Sequence, residues 1–201
     1  MFAPFLKDTQ VVLASSSPRR KNFLSEAGID YICVSPSVEE KARPGERATD
    51  YVKRNAELKM MDVVQRHNCT GPTFFISADT VVVLNDEILE KPTSPDDAKT
   101  MLRKLSANWH EVITGLSVAY KTSGSELLNR KTISVHSKVL FKSLRDDEIE
   151  WYVSTKEPLD KAGSYAIQGK GCYLIERVNG SYSNIVGLPM AELYNLLANL
   201  G

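Results

Sequence analysis

An apolar run near the start of the chain stops at three serines, and a proline and two arginines follow. Proline is favoured at the first position of a helix, and a serine directly before it is a good N-cap. The side chains that would meet at this helix N-terminus are those of Ser15, Ser17, Arg19 and Arg20. Together with free backbone N–H groups, they suit an anion such as phosphate. A capped surface helix with two solvated arginines explains the pattern equally well.

A second polar position, Asp79, follows an apolar run of strand length from Thr73 to Ala78. The run predicts a buried strand that ends before Asp79. The carboxylate is then expected at the carboxyl end of a strand, where open α/β sheets bind their ligands. A carboxylate there could hold a divalent metal ion or act as the general base for water. An aspartate that only caps a turn through its own backbone is a common alternative.

Three further polar groups lie in predicted loops. Glu39 and Glu40 lie in a charged segment with two prolines, and Lys91 follows a predicted hairpin, from which it could reach back toward Asp79. Gln168 lies in a glycine-rich run, and its amide can both donate and accept, as recognition of a base edge requires. A solvated lysine and an ordinary glycine turn are the simpler interpretations of the last two.

Other kinds of active site find little support in the sequence. The three histidines are scattered, with no HExxH pairing, which argues against zinc hydrolysis. No GxSxG motif is present for a serine nucleophile, and no GK[ST] follows the glycine-rich run. A metal and carboxylate site beside a phosphate cradle remains, and it would suit attack of water on phosphorus.

Length, charge and cysteine content indicate the number of domains, the excluded partners and the compartment. The chain has 201 residues, enough for one well-cored domain, which we predict to span 1–201. Lys plus Arg and Asp plus Glu both number 25, so the formal net charge is zero, which argues against a nucleic acid polymer or a membrane surface as partner. Cys33, Cys69 and Cys172 fit no pairing motif and predict free thiols, and with no signal peptide they indicate the cytoplasm.

The elements that must position the polar groups alternate along the chain. Turn and capping signals predict helices over 18–28, 94–105, 146–153 and 189–200. A further helix of about 16 residues is predicted to begin at Thr49. Strands are predicted near 11–14, 31–34, 73–78, 81–84, 87–89, 109–121, 127–141, 172–178 and 182–186, with a polar turn at 122–125. This order predicts an α/β fold with a mixed sheet.

Read together, these segments resemble the Maf family of nucleoside triphosphate pyrophosphatases over nearly the whole chain. The matching pieces are Leu13-Ala14-Ser15-Ser16-Ser17-Pro18-Arg19-Arg20, Val38-Glu39-Glu40, Ala78-Asp79-Thr80, Glu90-Lys91-Pro92, the run from Glu157 to Gly169, Asn179-Gly180-Ser181-Tyr182 and Val186-Gly187-Leu188-Pro189. Each piece alone is weak evidence for the resemblance, but the occurrence of all of them in this order is highly specific for the family.

The resemblance implies a strongly bent mixed β-sheet flanked by helices, in two lobes around a cleft, as in the related inosine triphosphatases. It implies cleavage of a nucleoside triphosphate to the monophosphate and pyrophosphate with a divalent metal cation, Mg²⁺ or Mn²⁺, in a homodimer. The run from Asp160 to Gly169 resembles the branch that acts on dTTP and UTP. In that branch the positions of Arg19, Thr80 and Gln168 are tied to base preference.

The resemblance also implies a role for each matching residue. Ser15, Ser17, Arg19 and Arg20 would cradle the phosphates, with Lys59 and Lys91 adding positive charge. Asp79 would be the general base and a metal ligand, and Glu39 would help to hold the metal, although Glu40 beside it leaves open which carboxylate faces the site. Thr80 and Gln168 would read the pyrimidine, and Asp160 and Lys161 would shape the cleft.

Two alternatives stay open at this point. The protein could bind nucleotides with little turnover, as a regulatory protein of cell division. It could also be a pyrophosphatase for a non-canonical purine triphosphate. Asp79 and Glu39 beside Lys91 favour turnover, and the tyrosine-to-glutamine spacing in 165–168 favours pyrimidines.

Overall fold

A computed structural model describes residues 6–122 and 129–201, and in these residues seven strands form one mixed sheet. The strands are β1 (Gln10–Leu13), β2 (Ile32–Cys33), β3 (Thr73–Leu84), β4 (Glu87–Leu89), β5 (Trp109–Lys121), β6 (Asn129–Phe141) and β7 (Ile175–Asn179). The order is β2-β1-β3-β5-β6-β7, with β4 paired to β3. β1 runs parallel to β2 and β3, whereas the β3–β4 and β6–β7 pairs are antiparallel.

Helices occur between the strands and at the end of the chain. They are α1 (Pro18–Glu26), α2 (Ala48–Arg66), α3 (Pro95–Leu105), α4 (Asp146–Ser154), α5 (Tyr182–Val186) and α6 (Met190–Leu200). Short 3₁₀ turns cover Glu157–Asp160, Ala162–Ser164 and Gly169–Leu174. The predicted α/β class, a mixed sheet flanked by helices, is confirmed.

Two local signals are confirmed by the structure. Asn85 and Asp86 have φ angles of 50° and 64°, as a two-residue hairpin turn requires, and they join β3 to β4. The hydroxyl of Ser94 accepts a hydrogen bond of 3.1 Å from the backbone N–H of Asp97 and so caps α3, whose first residue is Pro95.

Two predictions about elements are wrong, and the strand predicted over 172–178 begins only at Ile175, after the 3₁₀ turn Gly169–Leu174. β3 does not end before Asp79 but runs unbroken from Thr73 to Leu84, because the apolar residues resume at Val81 and no proline or glycine interrupts the run. The segment Tyr182–Val186 is a helical turn and not a strand. The hydroxyl of Ser181 accepts a hydrogen bond from the N–H of Asn184, as at a helix start. The predicted turn at 122–125 lies mostly outside the described residues.

The chain divides into two compact units. The first takes the described residues of Met1–Asp79, Thr114–Val135 and Gly187–Gly201. In it, α2 lies close to β5, since a Cβ atom at Gly115 would stand 2.2 Å from the carbonyl oxygen of Val52. The hydroxyl of Ser77, on β3, donates to the carbonyl of Ala56 on α2. These contacts fix the position of α2 over β3.

The second unit takes Thr80–Ile113 and His136–Val186. Its core contains the rings of Phe141, Tyr152 and Tyr165 together with leucines of α3. His110 is also buried there, and its Nε2 lies 2.8 Å from the hydroxyl of Tyr165.

Two further observations concern the whole described chain. Cys33, Cys69 and Cys172 are free thiols, as predicted. Within 6–122 and 129–201, no helix is both long enough and apolar enough to cross a bilayer.

Candidate functional site

β3 carries a buried carboxylate in the first unit. Asp79 is 6% exposed and lies in a strand in which Ala78 before it and Val81 two residues after it are buried and apolar. A charge is expensive to bury unless it is paired and hydrogen-bonded. The groups around Asp79 must therefore satisfy it.

Helix α2 supplies two of those groups. The ammonium of Lys59 lies 2.8 Å from Oδ1 of Asp79, and the amide Nδ2 of Asn55 donates to Oδ2 over 3.1 Å. Residues four apart lie on one helix face, so both side chains reach β3 from the same direction. Asn55 was not among the predicted site residues. The signal was its position: it lies four residues before Lys59 on the apolar face of α2.

The segment before α2 supplies a second carboxylate. Oε2 of Glu40 lies 2.6 Å from the same ammonium of Lys59. Glu39 is exposed and pairs with Lys41 at 2.5 Å. The structure therefore brings Glu40, Lys59 and Asp79 together and directs Glu39 to a neighbouring lysine.

The start of α1 presents the predicted anion-binding groups. The guanidinium of Arg20 donates from Nε to the carbonyl of Gly187 over 2.8 Å and from Nη1 to the hydroxyl of Ser15 over 3.2 Å. The Ser15 hydroxyl also accepts from the backbone N–H of Ser17. Ser17 occupies the N-cap position as predicted, but its side chain makes no capping bond. Arg19, on the same turn, forms no ion pair in the described part of the chain.

The electrostatics of these groups are coupled. Burial would raise the pKa of Asp79, but the charge and hydrogen bond of Lys59, the charge of Arg20 and the Asn55 amide outweigh it. The pKa therefore lies below its usual range. Burial lowers the pKa of Arg20 to about 10, with the charge of Asp79 acting in the opposite direction. At neutral pH the site thus contains an ionised carboxylate beside cationic Arg20.

These donors can be compared with what a metal ion needs. Among residues 6–122 and 129–201, no three His, Cys, Asp or Glu side chains gather closely enough to form a site by themselves. Mg²⁺ is commonly held by one or two carboxylates together with substrate phosphates. Asp79 and Glu40, which share the Lys59 ammonium, fit that arrangement.

The remaining predicted residues belong to the second unit. Thr80 is half-buried in β3, and Lys91 is exposed just after β4. The carbonyl of Glu90 accepts a hydrogen bond of 3.1 Å from the N–H of Gly163. The two motifs around Lys91 and Gly163 are therefore neighbours within this unit.

The run from Glu157 to Gly169 is tied together by its own side chains. Lys161 Nζ donates to the Asp160 carboxylate at 2.6 Å and to the carbonyl of Glu157 at 2.7 Å. The Glu157 carboxylate accepts from the N–H groups of residues 170 and 171, on the far side of Gln168. Gln168 is exposed, and its Nε2 donates to the hydroxyl of Tyr182 at 2.9 Å. The Glu157 carboxylate thus links the start of this run to the residues that follow Gln168.

Similar proteins are known over nearly the whole length of the chain. The sequence model of the Maf family, described as "Maf-like protein", matches residues 10–200. A protein of Geotalea uraniireducens named dTTP/UTP pyrophosphatase is 44% identical over 96% of this chain and 96% of its own length. One of Dictyoglomus thermophilum with the same name is 42% identical over the same shares. Among solved structures, the Ham1 protein of Staphylococcus aureus is 17% identical, with a TM-score of 0.47 over 94% of this chain and 98% of that one.

Proposed function

The chain belongs to the Maf family, and we propose that it is a nucleoside triphosphate pyrophosphatase acting on dTTP, UTP and related modified pyrimidine triphosphates. The proposal is supported most directly by the buried Asp79 carboxylate, which the ammonium of Lys59 and the amide of Asn55 hold in place. It is also supported by the relatives named dTTP/UTP pyrophosphatase. The products are the nucleoside monophosphate and pyrophosphate.

Asp79 is the general base in this proposal. The oxygen of a water molecule forms a bond to the α-phosphorus, and the bond from that phosphorus to the oxygen bridging it to the β-phosphorus breaks. Asp79 takes the proton that the water loses, and pyrophosphate leaves with the bridging oxygen. An ionised carboxylate at neutral pH is ready to accept that proton.

Lys59 controls access to this base. Its ammonium contacts Oδ1 of Asp79 and the carboxylate of Glu40, and the charge of a triphosphate competes for it. When the ammonium turns to the phosphates, Oδ1 of Asp79 loses that contact and becomes open to a water molecule.

Arg20 and Ser15 bind the phosphates, together with Ser17 and Arg19 on the same turn. Guanidinium groups form strong, charge-assisted hydrogen bonds to phosphate. The carbonyl of Gly187 and the hydroxyl of Ser15 already orient Arg20. Less side-chain freedom is lost on binding when the guanidinium is held in advance.

A divalent cation, Mg²⁺ or Mn²⁺, would be held by Asp79 and Glu40 with oxygens of the triphosphate. When bound it would neutralise charge on the phosphate oxygens. Glu39, to which the family resemblance assigns this role, stays a prediction beside Glu40. Three roles that the resemblance assigns in the second unit also stay predictions: Thr80 and Gln168 as readers of the pyrimidine, Lys91 as a phosphate contact, and Asp160 and Lys161 as cleft-shaping residues. The homodimer and the location in the cytoplasm stay predictions as well.

A pyrophosphate-release panel tests the proposal. The common triphosphates, modified pyrimidine triphosphates, dITP and XTP are each supplied with Mg²⁺, with Mn²⁺ and with a chelator. We expect metal-dependent release that is fastest with UTP and dTTP. Release only from dITP or XTP would favour the purine alternative. Tight binding of UTP without release from any triphosphate would favour the regulatory one.

A further inference from the structure

The buried amide of Asn55 lies between Asp79 and a second charged group. Asn55 is 0% exposed, and its Nδ2 donates to Oδ2 of Asp79. Its other end, Oδ1, accepts a hydrogen bond of 3.1 Å from Nη1 of Arg54. The side chain therefore connects a guanidinium to the carboxylate to which we assign the proton transfer.

Only one orientation of this amide satisfies both neighbours. A guanidinium can only donate, so it requires the amide oxygen on its side. An ionised carboxylate can only accept, so it requires the amide nitrogen. Turning the amide of Asn55 by half a turn would set donor against donor at Arg54 and acceptor against acceptor at Asp79. Each neighbour thus selects the orientation that the other needs.

Arg54 is itself held in place. Its Nε and Nη2 each lie 2.6 Å from an oxygen of the Glu46 carboxylate, and Nη2 also donates to the carbonyl of Lys41 at 2.9 Å. The Arg54 and Glu46 side chains are 18% and 10% exposed. A two-bonded pair sheltered in this way has a well-defined geometry. The orientation of Arg54 therefore does not depend on Asn55.

We infer that Arg54 and Asn55 are positioning residues for Asp79, Arg54 fixing the Asn55 amide and the amide holding Oδ2, so that Oδ1 takes the proton. This inference rests on the proposed function. In the structure Oδ1 is the oxygen that Lys59 contacts. When Lys59 turns to the phosphates, Oδ1 is released for water, while Asn55 still prevents the carboxylate from rotating.

A double-mutant cycle in turnover tests the inference. The variants are Asn55→Leu, Arg54→Met and the combination, with kcat and KM measured for UTP. We expect Asn55→Leu to lower kcat by up to about 10²-fold, the cost of a misplaced reacting group, with KM changed by less than about twofold. Arg54→Met should lower kcat less, and Arg54→Lys, which can still donate to Oδ1, should restore part of it. In the Asn55→Leu background, Arg54→Met should lower kcat no further.

The controls separate positioning from folding. Arg47→Met removes an arginine of the same region that pairs with Asp50 at the surface, and it should leave kcat unchanged. Thermal melts show whether each variant is folded. If Arg54 and Asn55 had only a structural role, their variants would have lower melting temperatures, but the effects of the two substitutions on kcat would not be coupled. Near-normal kcat in folded Asn55→Leu, or equal losses from Arg54→Met in both backgrounds, would overturn the inference.

Hydrogen exchange provides a readout that needs no turnover. In the wild type, the Nδ2 proton that Asn55 donates to Asp79 should exchange slowly with solvent, as followed by NMR. Arg54→Met should speed that exchange by about tenfold, and Arg47→Met should not. Unchanged exchange in Arg54→Met would overturn the positioning role of Arg54. This test remains available even when Asn55→Leu does not fold.

Failure of the inference can be told apart from failure of the proposed function. A wild type that releases no pyrophosphate contradicts the proposed function, and the inference with it. An active wild type, an inactive Asp79→Asn and a fully active Asn55→Leu contradict the positioning role alone.

Discussion

The ammonium of Lys59 lies 2.8 Å from Oδ1 of Asp79, and both side chains are less than a tenth exposed. Each charge depends on the other, because a buried ion that loses its partner keeps the cost of leaving water. The same ammonium also contacts Glu40. Lys59 is thus the centre of a small charge cluster between α2, β3 and the segment before α2.

Removing Lys59 should destabilise the protein. We expect Lys59→Met to lower the free energy of unfolding by about 3–5 kcal/mol, since it leaves the Asp79 carboxylate buried and unpaired. Urea denaturation measures this. Adding Asp79→Asn should recover part of the loss, because an amide needs no counter-charge. Lys53→Met, on the same helix and without an ion pair in the described residues, should change stability by less than about 0.5 kcal/mol. No recovery in the double variant would mean that the pair does not carry the effect.

Glu39 and Glu40 can be separated by the metal requirement. Because Glu40 reaches the Lys59 ammonium and Glu39 reaches Lys41, Glu40→Gln should raise the Mg²⁺ concentration for half-maximal activity by at least about tenfold. Glu39→Gln should shift it little. A Mg²⁺ titration of pyrophosphate release from UTP measures both. The opposite ranking would favour Glu39 as the metal ligand.

Arg20 should contribute to binding of the phosphates and not of the nucleoside. Arg20→Ala removes charge-assisted hydrogen bonds, so we expect the Kd for UTP to rise by about 10–100-fold. The Kd for uridine should stay nearly the same. Calorimetry in an Asp79→Asn background avoids turnover, and Lys21→Ala on the same helix is the control. An equal loss for UTP and uridine would place Arg20 outside the phosphate site.

His110 should make the protein less stable in mild acid. Burial lowers the pKa of His110 to about 4, and a backbone hydrogen bond at Asn108 offsets only part of that shift. The unfolded chain, with a histidine pKa of about 6.5, binds more protons between these values, so stability falls as the pH falls through that window. From about pH 7.5 to about pH 5, this group alone should cost about 2 kcal/mol.

Urea denaturation at both pH values checks the His110 prediction. His110→Gln should remove most of that pH dependence, because glutamine does not titrate. His136→Gln, which changes an exposed histidine, should leave it as in the wild type. An equal pH dependence in His110→Gln and the wild type would show that burial of His110 is not its source.

Much of the fold could be predicted because its signals are local. The Ser94-Pro95 cap and the Asn85-Asp86 turn depend on neighbouring residues only, and both are confirmed. The strand around Asp79 was predicted to end too early because a polar residue in an apolar run also marks a strand end. What makes Asp79 acceptable inside β3 is the pairing with Lys59 and Asn55. That pairing is a tertiary contact, and the pattern of apolar residues along a strand contains no information about it.

The site was predictable to a similar degree. Asp79 and Arg20 stood out by residue type and motif, whereas the role of Lys59 came only from the family resemblance, and the structure groups the three in the first unit. Asn55 carries no motif, and an asparagine on a helix is unremarkable until its neighbours are known. The choice between Glu39 and Glu40 depends on the path of an irregular segment, for which the sequence offers no periodicity.

The central claim is that Asp79 takes the proton from water while other groups bind the substrate. The most direct measurement is pyrophosphate release from UTP by Asp79→Asn, together with the Kd of the same variant for UTP. The amide keeps the size of the carboxylate but cannot act as the base. We predict that turnover falls by at least about 10²-fold, the low end of what a general base contributes, while UTP still binds. Near-normal turnover by folded Asp79→Asn would contradict the account.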